Sequence, residues 1–183
     1  DLGGIDSLAF QINGTAATWG FHPEHRDIAR LELLEPLLPG NEVQYTTPFR
    51  VRIPSGRISR LGHIGESYQM TQWYPKPAVY DRDGWHEMPY LNQGEFYSEY
   101  GSFDVSITLP SNYVVGATGD LNPSQVDNAA ELIFMDSLVL QTERSLNEAF
   151  FESDSIAEKK DEFPLSSTRQ KTLRFQQQNV HDF

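Results

Sequence analysis

Between residue 5 and about residue 121 the chain sustains no helical period; it breaks into short alternating runs closed by turn residues. Phe49-Arg-Val-Arg-Ile53 shows this most plainly, with Phe49, Val51 and Ile53 on one side and Arg50 and Arg52 on the other. Such period-two alternation describes a half-buried antiparallel strand with one solvated face. Residues 8–12 run into Asn13-Gly14, a tight-turn signal, and residues 16–19 resume on the other side. Residues 29–33 and 43–47 alternate around Pro36, Pro39 and Gly40-Asn41. Residues 68–73 stop at Tyr74-Pro75 and Pro77, residues 103–109 close at Pro110-Ser-Asn112, and residues 113–115 form a further short run. Strands recurring about every 8–12 residues predict a mainly β fold, a sandwich or an assembly of antiparallel sheets.

After residue 121 the period changes. Val126, Ala129, Ala130, Ile133, Leu138 and Leu146 are apolar, with Glu131, Asp136, Glu143, Arg144 and Glu148 between them. Asn122-Pro123-Ser124 supplies a start, and the pattern predicts a helix over residues 126–151. The polar, acidic stretch 152–162 reads as a loop, and Thr172-Leu-Arg-Phe175 as one more strand. The expected organisation is a β-domain of residues 1–121 and 166–183 carrying a helical insertion, 122–165, in its C-terminal third.

Composition narrows the function classes. With no Cys, the chain has no disulfide, thiolate metal site or cysteine nucleophile. The formal net charge of −12 argues against nucleic acid or an anionic membrane as a main partner. Acid concentrates in the second half: residues 1–92 carry 8 basic and 11 acidic side chains, residues 93–183 carry 6 and 15. No apolar run is long enough to span a bilayer. The first ten residues have neither an initiator Met nor a basic region, as expected of a mature or trimmed chain.

Few constellations carry chemistry. His22-Pro-Glu-His25 is the closest histidine pair, but Pro23 and the loop context spoil a rigid metal spacing, so exposed turn histidines are expected. Asp81-Arg-Asp-Gly84 lacks the later ligands of a calcium loop, with Trp85 and Asn92 in their places, and reads as a β-turn. Glu95 and Glu99 read as surface charges rather than an acid/base pair. No nucleophile elbow or phosphate-binding glycine loop occurs. The aromatic density is the outstanding feature. Tyr68, Trp73, Tyr74, Tyr80, Trp85, Tyr90, Phe96, Tyr97, Tyr100 and Phe103 are interleaved with Pro75, Pro77 and Pro89. Exposed, these rings would form a ligand platform; buried, they would be an aromatic core or a domain interface.

Three spaced blocks in this region carry a family resemblance. They are Gln72-Trp-Tyr-Pro-Lys-Pro-Ala-Val-Tyr-Asp-Arg-Asp-Gly-Trp-His86, Gly94-Glu-Phe-Tyr-Ser-Glu-Tyr-Gly-Ser-Phe-Asp-Val-Ser-Ile-Thr-Leu-Pro110 and Asn112-Tyr-Val-Val-Gly-Ala-Thr-Gly119. Together they resemble the N-terminal β-domain of M1-family zinc metallopeptidases, the aminopeptidase N and leukotriene A4 hydrolase group, in its bacterial branch. The closing Asn179-Val-His-Asp-Phe183 is similar to the point where that branch passes into its catalytic domain. The resemblance covers residues 30–121 and 172–183. It implies a saddle of antiparallel sheets against a thermolysin-like domain that holds zinc through His-Glu-x-x-His and a further Glu. Those ligands do not occur in this chain, so it is expected to be inactive alone, to bind no zinc itself and to have its own catalytic domain and a peptide substrate as partners.

The resemblance also implies a substrate contact. In the family a β-domain loop meets the substrate's free α-amino group, and the matching stretch here begins at Gln72. Tyr74 stands where many relatives have an acidic or amide residue; its phenol or ring face could still meet an ammonium. Gln72 and Tyr74 are thus the candidate substrate-binding residues, and Trp73, Tyr80, Trp85, Phe96 and Tyr97 the candidate core or interface aromatics. On family grounds an exported, periplasmic location is expected. Two other readings stand beside this one. The first is a non-catalytic carbohydrate-binding module with Trp73, Trp85 and Tyr97 coplanar and exposed; the second is an M1-like scaffold that has lost its zinc ligands.

Overall fold

The computed structural model describes residues 3–57, 60–91, 93, 94, 96–151 and 163–183, with the side chains of 148–151 excepted. The expected loop at 152–162 and the carboxylate of Glu95 lie outside the described residues. The chain is mainly β, in several small antiparallel sheets with one long helix, and divides into two compact units, residues 1–99 and 100–183. No helix among the described residues is long and apolar enough to cross a membrane.

The first unit is a set of hairpins. β1 (Gly4–Asp6) pairs with β7 (Arg50–Arg52), and β2 (Gln11–Ile12) lies between β3 (Thr15–Ala16) and β6 (Tyr45–Thr46). β4 (Thr18–Phe21) pairs with β5 (Ala29–Glu32), β8 (Gly62–Ile64) with β9 (Ser67–Gln69), and β10 (Val79–Asp81) with β11 (Gly84–His86). The β2–β3 turn forms as its sequence predicts. Asn13 and Gly14 both take positive φ, 48° and 80°, the conformation in which a two-residue turn matches strand twist. The Asn13 side chain then accepts the Gln44 backbone N–H at 3.0 Å, tying the turn to the approach of β6. Around β7 the alternation holds, with Phe49, Val51 and Ile53 half-buried and Arg50 and Arg52 exposed.

Two expectations fail locally. Residues 68–73 do not continue as a strand: β9 ends at Gln69, and Gln72 turns to φ 52°, which no extended strand accommodates. Residues 113–115 pair with no strand either. Among the described residues the apolar side chains fully covered in this unit are Phe10, Ile12 and Val79, so its core is thin.

The second unit is organised by one strand. β14 (Gln170–Val180) lies between β12 (Gly101–Pro110) and β13 (Asp120–Leu121), and buries Leu173 and Phe175. Gly119 leads into β13 at φ 95°, and a Cβ there would lie 2.7 Å from the Gln176 carbonyl oxygen, so only glycine fits. α1 (Val126–Phe151) has the predicted bounds. Its first turns lie against β14, where Asp127 accepts the Thr172 backbone N–H at 2.8 Å. Asn128, fully buried, donates to the Asn122 and Arg174 carbonyls and accepts the Arg174 N–H, each at 3.0 Å. Lys171 donates to buried Glu131 at 2.5 Å.

Replacing Asn128 by Ala leaves two backbone groups of Arg174 without their partners. The expected loss is about 2 kcal/mol in urea unfolding of the second unit. The exposed Leu165→Ala control should change it by less than ~0.5 kcal/mol. An Asn128→Ala protein as stable as the parent would refute the anchoring role of this amide.

Candidate functional site

The segment after β9 is short of regular hydrogen bonding and rich in proline, so its side chains are set by individual contacts. Gln72 sits in the left-handed region, a conformation that costs a side-chain-bearing residue about 1–2 kcal/mol and persists only where surroundings hold it. It is half-buried in the wall of a cavity of about 280 Å3. Arg60, Met88, Tyr90, Gln93 and Phe96 also line that cavity. One wall is pinned from below, since the Tyr90 backbone N–H donates to Asp27 at 2.5 Å. The Tyr90 and Phe96 rings lie 6.2 Å apart.

The other candidate residues separate into distinct places. Trp73 packs on Phe49 at 6.0 Å and edge-on against Tyr74 at 5.4 Å, all three half-buried. The Tyr74 ring has the Lys76 ammonium 6.0 Å from its centroid. Tyr80 and Trp85 face each other directly across the β10–β11 hairpin, 4.9 Å apart, and are 67% and 64% exposed. The opposite face of the same hairpin carries buried Val79 and the half-buried Asp81 and His86. Tyr97 is exposed and meets His86 edge-on at 5.2 Å. Of the predicted set, the structure brings Gln72 and Phe96 to one cavity, and it does not bring Tyr74, Tyr80, Trp85 or Tyr97 there.

Arg60 and Gln93 escaped the sequence reading. Arg60 follows Arg50, Arg52 and Arg57 and looks like another solvated strand charge, and nothing in the local pattern separates it. The Asp81–His86 pair was likewise missed, though the Asp-x-Asp-Gly turn places those side chains across a hairpin. Asp81 accepts from the backbone N–H of Asp83 at 2.9 Å and from His86 Nε2 at 2.8 Å. A carboxylate can only accept, so His86 carries its hydrogen on Nε2.

The remaining titratable candidates have structural occupations. His22 and His25 stack at 5.0 Å, and His22 Nδ1 accepts the backbone N–H groups of Glu24 and His25, both at 3.2 Å. Glu99 is exposed. Among the described residues no group of three His, Asp or Glu side chains converges as a metal ion requires. Comparison of the chain with protein-family models, curated proteins and solved structures returned no match.

Asp81 gives the site region a pH dependence. The hydrogen bond from His86, then that from the Asp83 backbone, holds its carboxyl below the usual carboxylate range. A depressed folded value means that the pair stabilises the hairpin above about pH 4, the ordinary carboxylate value. That contribution disappears as pH falls through the folded value. Following the Trp85 amide by NMR from pH 6 downwards should show the hairpin loosening in acid, with a smaller change in Asp81→Asn. Equal acid sensitivity in both proteins would exclude Asp81 as the cause.

Proposed function

We propose that the chain is the N-terminal β-domain of an M1-type zinc aminopeptidase. In this reading it is itself non-catalytic, packs on a catalytic domain and forms part of the pocket for the substrate's free α-amino group. The observation that carries the reading is Gln72. It opens the Gln-Trp-Tyr-Pro run of the resemblance, and it is held at φ 52° in the wall of the cavity. The amide oxygen of a glutamine in that wall can accept a hydrogen bond from an ammonium.

The two candidates differ in role in this reading. Lys76 already lies over the Tyr74 ring, so a second cation there would meet like-charge repulsion. Arg60 brings a like charge to the Gln72 cavity too, so in this reading Gln72 is preferred for its amide acceptor rather than on charge, and Tyr74 acts as packing between Trp73 and Lys76. The exposed apolar side chains of the first unit fit an interface role. Leu34 is 81% exposed, with Leu33, Leu37 and Leu38 beside it in sequence and few covered residues beneath. In this reading the metal belongs to the catalytic domain, as the resemblance implies, and no step involving it is assigned to this chain.

The test is made on the whole protein, with whatever chain its gene encodes beyond Phe183. His-Glu-x-x-His with a further Glu is expected downstream, together with hydrolysis of aminoacyl p-nitroanilides that chelation abolishes. Gln72→Ala should raise KM about tenfold, the loss of one hydrogen bond to a charged group. Lack of the motif, or an unchanged KM, sinks the reading. The carbohydrate module remains the second reading because Tyr80 and Trp85 are exposed. Their 56° tilt makes a wedge rather than a flat platform, which disfavours it. Only in that reading does Trp85→Ala abolish retention on insoluble polysaccharide.

A further inference from the structure

We propose that the cavity beside Gln72 is a carboxylate subsite, and that it takes the side chain of an N-terminal Asp or Glu. The assignment of the ligand as an N-terminal residue rests on the reading of Gln72 given above; the preference for a carboxylate rests on the cavity itself. Arg60 is the charged residue among the described residues that line this cavity, beside the neutral Gln72 and Gln93. A guanidinium presents five N–H donors in a fixed fork, so Arg60 can keep a protein partner and still bind a carboxylate. The amide N–H groups of Gln93 add neutral donors to the same wall, while a cationic ligand would meet repulsion from Arg60.

Size selects the rest of the ligand. At about 280 Å3 the cavity lies at the small end of ligand sites, room for one amino-acid residue rather than a polymer. A phosphate is a poorer match, because among the described residues neither a helix N-terminus nor a glycine-rich loop lines the cavity. The ligand with an ammonium for Gln72, a short aliphatic stem and a carboxylate for Arg60 is an acidic residue at the start of a peptide.

The experiment titrates the full chain with the near-isosteric dipeptides Glu-Ala and Gln-Ala, read by calorimetry and by amide shifts of Gln93 and Gly94. Glu-Ala should bind at least about tenfold more tightly than Gln-Ala, the scale of one charge-assisted contact. Arg60→Gln should bring the two affinities together, while Arg60→Lys should keep part of the preference. Arg60 is exposed, so neither variant removes core packing. Equal affinities in the parent, or a preference that survives Arg60→Gln, overturns the subsite and leaves the aminopeptidase reading standing. If N-acetyl-Glu-Ala binds as tightly as Glu-Ala, amine recognition by Gln72 fails and the carboxylate subsite stands. Absence of saturable binding by any of the three at millimolar concentration overturns the subsite outright.

Discussion

The second unit depends on a single buried amide. A strand between two neighbours has both edges satisfied, but β13 reaches only Phe175 and Gln176 of β14, leaving that edge open further back. The Thr172 and Arg174 N–H groups are two residues apart and therefore point to the same side of the strand. The helix supplies their partners from its first turn, Asp127 for Thr172 and Asn128 for Arg174. Asn128 also takes the Arg174 carbonyl, so its side chain presents the donor and the acceptor that a neighbouring strand would have offered. The start of α1 thus completes a sheet edge that would otherwise be an unpaired template. The adjacent Glu131–Lys171 pair is nearly dry, and one Glu131 oxygen has no hydrogen-bond partner, so removing either member would leave the other's charge buried and uncompensated.

This arrangement explains what could and could not be read from the sequence. The bounds of α1, the Asn13-Gly14 turn and the alternation around Val51 are local signals, set by periodicity and φ preference, and they survive folding unchanged. Asn128 and Glu131 are different. In the pattern they look like solvated helix positions between apolar ones, whereas Ile133 and Val126, which look like core, are exposed. The helix turns a polar face to the strand because the strand needs hydrogen-bond partners there, and no local pattern records that need. The failed strand at residues 113–115 has the same origin. Asn112 bonds the Leu165 carbonyl and the Ser167 N–H across the end of the sheet, so the chain is spent on closing a connection rather than extending a ladder.

The aromatic segment separates for a related reason. Its density was legible, but its fate depends on hairpin register, which has period two. In β10–β11 the register puts Tyr80 and Trp85 outward together and Val79, Asp81 and His86 on the other face. A one-residue slip would reverse this. Trp73 and Tyr74 lie outside any strand, so they follow ring packing on Phe49 instead. One stretch of sequence therefore gives an exposed aromatic wedge, a half-buried ring cluster and one wall of a cavity.

That cavity is where local rules and structure disagree most. Glutamine has no intrinsic reason to adopt φ 52°, a region taken elsewhere among the described residues by glycines and by the short polar residues Ser7, Asn13 and Asn179. The strain is maintained between a strand that ends at Gln69 and two prolines that forbid a return to helix. Arg60 precedes β8 and Gln72 follows β9, so both leave the open end of that hairpin, where Gly62 pairs with Gln69, and both line the cavity. A residue kept at that cost, in a unit with few buried side chains to hold it, is better accounted for by what its side chain meets than by what its backbone gains.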